Sequence, residues 1–141
     1  MLSIRSYFMS YRSSQTVIIQ TQPRTRITDI AANMLRNAGF EVIESGSMEQ
    51  ACRDVDQHSP VLVVIRGNRE QVAGGLDHLA VLPPEQRPAR IAILSDDETE
   101  DPCLSRKVPG THVDVFIEPL QAFGLLNVVH RLRRESVSVH N

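Results

Sequence analysis

At 141 residues, with 41% apolar and 23% charged side chains, the chain has the size and composition of one soluble globular domain. A formal net charge of −2 argues against broad electrostatic capture of nucleic acid or of an acidic membrane surface. No apolar run approaches the ~18 residues of a transmembrane helix, and Cys52 and Cys103 are too few for a disulfide scaffold and have no metal-ligand spacing.

Residues 1–15 mix Ile4, Tyr7, Phe8, Met9 and Tyr11 with arginines and serines and lack the continuous apolar core of a signal peptide. A flexible arm and a cytoplasmic protein are expected. Thr16 to Thr21 predicts a first strand, closed by Gln22-Pro23. From Arg24 the apolar spacing becomes three and four. Ile27, Ile30, Ala31, Met34, Leu35 and Ala38 predict one face of a helix that Gly39 ends. Phe40 to Glu44 predicts a second strand, and Ser47 with Gln50 has capping-box spacing for a helix whose inner face is Met48, Ala51, Cys52 and Val55.

Val61 to Ile65 is apolar without alternation, which predicts a strand covered on both faces, and it runs into Arg66 and Gly67. A glycine-punctuated stretch from Gly67 to Gly75 precedes a short helical patch around Leu76, Leu79 and Leu82, stopped by Pro83-Pro84. Arg90 to Ser95 predicts the fourth strand, followed by the acidic loop Asp96 to Asp101. A brief fourth helix is expected over Pro102 to Val108, and Val113 to Ile117 is the fifth strand. Leu120 to Arg134 predicts the last helix, with Phe123, Leu126, Val129 and Leu132 facing inward; residues 135–141 are expected to be a frayed tail or the start of a linker. Arg131, Arg133 and Arg134 near its end are expected to be solvated.

Strands alternating with helices at this spacing predict an α/β fold, a doubly wound parallel sheet with helices on both faces. In such a sheet the carboxyl ends of the strands meet at one crevice. Here they bring Gln20 and Thr21, Arg66, Ser95 with Asp96, and Glu118. His58, His78, His112, His130 and His140 are scattered without ligand spacing, so no metal site is expected. Glycine-rich phosphate loops and nucleophile elbows are absent from the sequence, and no residue pair reads as nucleophile and base. Neither an enzyme nor a cofactor is expected.

The five strand–helix units, the string Val115-Phe116-Ile117-Glu118-Pro119-Leu120, Ser95 ending the fourth strand, and Asn37-Ala38-Gly39-Phe40-Glu41-Val42 leading into the second resemble the receiver domain of bacterial two-component response regulators. The resemblance covers Thr16 to Arg134. It implies a flavodoxin-like (βα)5 three-layer sandwich with strand order 2-1-3-4-5. In that family an acidic pair after the first strand binds Mg²⁺ and an aspartate ending the third strand accepts a phosphoryl group. A strand-four serine or threonine and a lysine before the strand-five proline hold the phosphate, and a strand-five aromatic reports the change.

Laid onto this chain, the acidic pair falls on Gln20 and Thr21, the phosphoacceptor on Arg66, the lysine on Glu118 and the aromatic on Val115; only Ser95 and Pro119 are as the family has them. Gln20 and Thr21 bring no charge to a divalent ion, and a guanidinium offers no nucleophilic oxygen. The resemblance therefore implies a degenerate pseudo-receiver, independent of phosphorylation. It would act as a protein–protein interaction module in bacterial signal transduction or transcription control. Its expected partner is another protein or a covalently linked output domain, with a homodimer formed through the fourth helix, fifth strand and fifth helix. Direct nucleic-acid or membrane binding is not expected. Because the family's anion and cation have traded places, Arg66 and Glu118 are expected to pair across the crevice. The alternative is a sensor that binds a small anion or metabolite beside Arg66.

Overall fold

The structure, a computed structural model, describes residues 15–22, 24–95, 107–118 and 121–140, with the side chains of the last helix described as far as Glu135. Five parallel strands, β1 (Thr16–Gln20), β2 (Glu41–Ser45), β3 (Leu62–Gly67), β4 (Arg90–Ser95) and β5 (His112–Ile117), form one sheet in the order β2-β1-β3-β4-β5. This is the parallel doubly wound sheet that the alternation of elements implies. The uninterrupted apolar runs explain which strands lie inside. In β1, every residue is buried, and β3 and β4 are buried from Leu62 to Arg66 and from Ile91 to Ser95, while of the edge strands β2 is half-buried or exposed up to Glu44 and β5 is half-buried after His112.

Successive strand residues face opposite layers. On one face Val17, Ile19, Leu62, Val64, Ala92 and Leu94 pack against α1 (Arg26–Asn37) and α4 (Gly124–His140). On the other, Ile18, Val63, Ile65, Ile91 and Ile93 pack against α2 (Met48–His58) and α3 (Arg69–Ala80). Each of the first three helices begins on a polar cap that also fixes how the chain leaves the preceding strand. Thr25 and Thr28 form a reciprocal box at α1, the Ser47 hydroxyl accepts from Gln50 N–H at α2, and Asn68 and Gln71 form a second reciprocal box at α3.

Three sequence expectations need correction. Helix α3 begins at Arg69 and runs straight through Gly74 and Gly75. The Asn68–Gln71 box starts it, and Val72, Leu76 and Leu79 bury one stripe. Gly75 lies inside because Met48 packs onto it, its Sδ only 2.6 Å from where a β-carbon would stand. Helix α4 starts at Gly124 and continues to His140, past the point where fraying is expected. Its buried face is Leu125, Val128, Val129 and Leu132, whereas Phe123 lies in the turn before it and is 66% exposed. On α1, Ile30 and Ala38 are exposed rather than inward, since the buried stripe follows Ala31, Ala32 and Leu35. Residues 102–106 of the fourth predicted helix, with Cys103, the whole acidic loop, and residues 1–14 of the N-terminal arm lie outside the described residues.

Among the described residues, no helix is long and apolar enough to cross a membrane. Cys52 is a buried residue of α2, and burial, with Asp56 nearby, pushes its thiol up to about 11. Iodoacetamide at pH 8 is therefore expected to label Cys52 slowly in the native protein and rapidly in urea. Peptide mapping by mass spectrometry reads the two rates separately from Cys103.

Candidate functional site

The chain reverses its direction of travel along the sheet between β1 and β3, and the crevice at the carboxyl ends of these strands is where a doubly wound fold places its ligand chemistry. Parallel pairing sets Arg66 beside Leu94 and, one strand further, Phe116; Gly67 is level with Ser95 and Ile117. Glu118 follows directly, and its N–H donates to the Ser95 carbonyl at 2.8 Å, which turns its side chain back over the sheet end.

Arg66 and Glu118 meet there as the sequence implies. Arg66 Nε donates to Glu118 Oε1 at 2.9 Å and Nη2 donates to Oε2 at 2.7 Å, a two-pronged fork with side chains 9% and 21% exposed. Gln20, itself buried, holds the backbone beneath: its Oε1 accepts from Arg66 N–H at 2.9 Å. Gln20 thus serves β3 from the end of β1.

Of the remaining sequence-predicted positions, Thr21 is buried but turned away. Its N–H and hydroxyl both reach the Ser45 carbonyl of β2, at 2.9 and 3.4 Å. Ser95 is buried at the end of β4. Val115 is half-buried against the α2–α3 layer, while its neighbour Phe116 packs on the opposite layer. There the Phe116 ring occupies the space beside Gly124, its Cε1 lying where a β-carbon would have to go. Pro119 lies outside the described residues.

Beside the ion pair a cavity of about 210 Å³ remains, lined by Gln20, Gln22, Arg66, Gly67, Gln71, Leu94 and Glu118. Gln22, Gly67 and Gln71 are not among the residues that sequence reasoning singles out. A signal for Gln71 exists: Asn68 and Gln71 have capping-box spacing, and the box carries the Gln71 amide back toward the strand end. A second omission is Asp54, a buried carboxylate on α2 that accepts from Ser45 Oγ at 2.6 Å and Gln50 Nε2 at 2.9 Å. It ties the helix to the end of β2, close to Thr21.

The donor set does not fit a divalent cation. Where a hard cation needs clustered carboxylate oxygens, the described residues lining this crevice offer three neutral carboxamides, a guanidinium, and one carboxylate already bonded to it. Among the described residues no group of three His, Cys, Asp or Glu side chains is placed to hold a metal ion.

With solved structures the likeness is to receiver domains. A response regulator from Thermotoga maritima matches with a TM-score of 0.57 and 22% identity, over 86% of this chain and 98% of that one. The fold is that of response-regulator receiver domains. The pseudo-receiver domain of the CikA protein matches with a TM-score of 0.51 and 19% identity, over 83% of this chain and 94% of its own. NtrX from Brucella abortus, solved in complex with ADP, is a longer chain: the match has a TM-score of 0.55 and 19% identity and covers 89% of this chain but 27% of that one. No protein-family model and no curated protein matches the chain. At these identities the receiver fold is what the chains share, and the chemistry of the crevice has to be read from its own residues.

Proposed function

We propose that this domain is a pseudo-receiver: a regulatory interaction module of bacterial signal transduction that keeps the receiver scaffold and works without aspartyl phosphorylation. The observation that carries the reading is the Arg66–Glu118 fork, which joins β3 to the segment after β5 where a receiver would hold its phosphoacceptor and its phosphate-binding lysine. A guanidinium in the acceptor position has no oxygen to phosphorylate, and neutral Gln20 and Thr21 give Mg²⁺ no anionic ligands. With the switch chemistry replaced by an internal crosslink, what the fold still offers is surface.

In this reading the domain acts through a protein partner or a covalently linked output domain, and a second copy of itself is the simplest partner. The match to part of the longer NtrX chain supports a linked output. The half-buried apolar side chains of β5 and the exposed Phe123 before α4 support association at that side of the sheet. The alternative of an anion sensor is disfavoured because the guanidinium fork an anion would use is engaged by Glu118.

The test is acetyl phosphate, and separately beryllofluoride, each with Mg²⁺. Intact mass is expected to stay unchanged and the amide spectrum to show no Mg²⁺-dependent shift at the strand ends. A gain of one phosphate group would overturn the reading and make the domain a working switch.

A further inference from the structure

Between α2 and α3 the surface holds a groove of about 690 Å³. Met48 and Cys52 of α2 and Gly74 and Gly75 of α3 make its apolar floor. Met48 lies over Gly75, which accounts for one of the two glycines. Nothing in the fold accounts for Gly74: its φ is not positive, and nothing stands within 4 Å of its β-carbon position. A glycine inside a helix costs stability relative to alanine. Here it leaves bare backbone beside open space, room for a side chain that the described residues do not supply. Each wall also carries a carboxylate that makes no ion pair among the described residues, Glu49 on α2 and Glu70 on α3. The basic residues of the groove are engaged: Arg53 Nη2 donates to Gln50 Oε1 at 3.1 Å, and His78 Nε2 lies 3.5 Å from Asp56 Oδ2.

One segment of this chain has the chemistry to fill the groove. Residues 1–14, outside the described residues, hold both tyrosines of the chain and Phe8. Ile4, Tyr7, Phe8 and Tyr11 recur at the i, i+3, i+4, i+7 spacing of one apolar helix face. A mere spacer would be poor in aromatic and large aliphatic residues. Arg5 and Arg12 are the only charged side chains of the segment, and no acidic residue precedes Asp29. We propose that this arm docks in the α2–α3 groove, seating Tyr7 and Phe8 against Met48, Cys52 and Gly74, with its arginines toward Glu49 and Glu70. Opposite charge on the two surfaces favours and orients the contact. Neither the ion pair nor phosphorylation enters this docking, so it holds with or without the pseudo-receiver reading.

Reach and tethering select this occupant. The arm joins the sheet at Gln15, whose carbonyl accepts from Glu41 N–H at 2.9 Å, beside the strand whose Ile18 packs beneath α2 and α3. From Gln15 to Phe8 the extended chain spans up to ~23 Å, more than the ~18 Å length of α3. A tether that short holds the arm at ~mM effective concentration, which favours a chain's own arm over that of a second copy.

The experiment uses the full chain with ¹³C-labelled methionine methyl groups. NOEs from the Tyr7 and Phe8 rings to the Met48 methyl are expected, and they should keep their relative intensity when the labelled chain is diluted into an excess of deuterated chain. Gly74→Leu fills the bare wall at a position with space for it and is expected to abolish these NOEs. Tyr7→Ser with Phe8→Ser removes the anchors, and is expected to raise iodoacetamide labelling of Cys52 several-fold by uncovering the groove. Absence of the NOEs in the parent chain overturns the proposal. NOEs that vanish on dilution into deuterated chain assign the groove to the arm of a second copy and overturn it as well. So do NOEs that survive Gly74→Leu, or Cys52 labelling unchanged in the serine pair, either of which places the arm elsewhere.

Discussion

Glu118→Ala is expected to lower the unfolding free energy by about 3–5 kcal/mol, because it removes one partner of a buried, bidentate pair and leaves the other without its charge-assisted bonds. The asymmetry of burial sets the order of the two single variants. The Arg66 side chain is 9% exposed and the Glu118 side chain 21%. Losing the carboxylate therefore strands the more buried charge, and Arg66→Ala is expected to be the milder change. Arg66→Met with Glu118→Leu, which removes both charges and keeps the volume, is expected to recover most of the loss and come close to the parent protein. Urea denaturation checks this: the midpoint should fall in the single variants and return in the double, with the slope unchanged. Were the pair behaving like a solvated surface contact, both single variants would lie within about 1 kcal/mol of the parent and the double-mutant cycle would show no coupling.

Gly67→Ala is expected to be the second most damaging change near the crevice. Gly67 has φ +152°, outside the range side chains favour, and an added β-carbon would stand 2.7 Å from Gln71 Oε1 and 3.1 Å from Gln71 Cβ. The backbone strain is worth about 1–3 kcal/mol. Displacing Gln71 from Asn68 N–H weakens the α3 cap by a further ~1 kcal/mol. Gly46→Ala makes the control: nothing lies within 4 Å of its β-carbon position and its φ is not positive, so a change within about 0.5 kcal/mol is expected there. Urea midpoints give the stabilities, and amide exchange in the first turn of α3 separates loss of the cap from a general weakening.

That position also shows where a sequence stops being readable. The central strands are legible because Val61 to Ile65 and Ile91 to Leu94 are apolar without alternation, a pattern that burial on both faces requires. Helix α3 is not, because Gly67, Gly74 and Gly75 read locally as breakers, while the reasons for two of them are tertiary or conformational: Gly67 for its backbone angle, Gly75 for Met48. The inner face of α4 is read correctly at Val129 and Leu132 and misses Leu125 and Val128, and the later start at Gly124 leaves Phe123 outside. The Arg66–Glu118 contact is foreseeable from two reversed charges at equivalent strand ends. The cavity beside it is not. Its shape depends on which backbone N–H each carboxamide oxygen accepts from, and no one-dimensional pattern encodes that choice. Asp54 is hidden for a related reason: a carboxylate among Ala51, Cys52 and Val55 looks like an interruption until Ser45 and Gln50 are seen to bond it.

The ion pair bears on time as well as on energy. Arg66 and Glu118 are 52 positions apart in the chain and belong to strands that are not neighbours, with β4 seated between them. Their fork can close only after β4 has been inserted and β5 laid beside it, among the last steps in assembling a parallel sheet whose pairings are all long-range. A contact made that late is absent from the folding transition state, so its strength goes into slowing unfolding and leaves the folding rate almost untouched. On that argument the crosslink is a latch on the finished domain: it lengthens the lifetime of the conformation in which β3 is tied to the segment after β5.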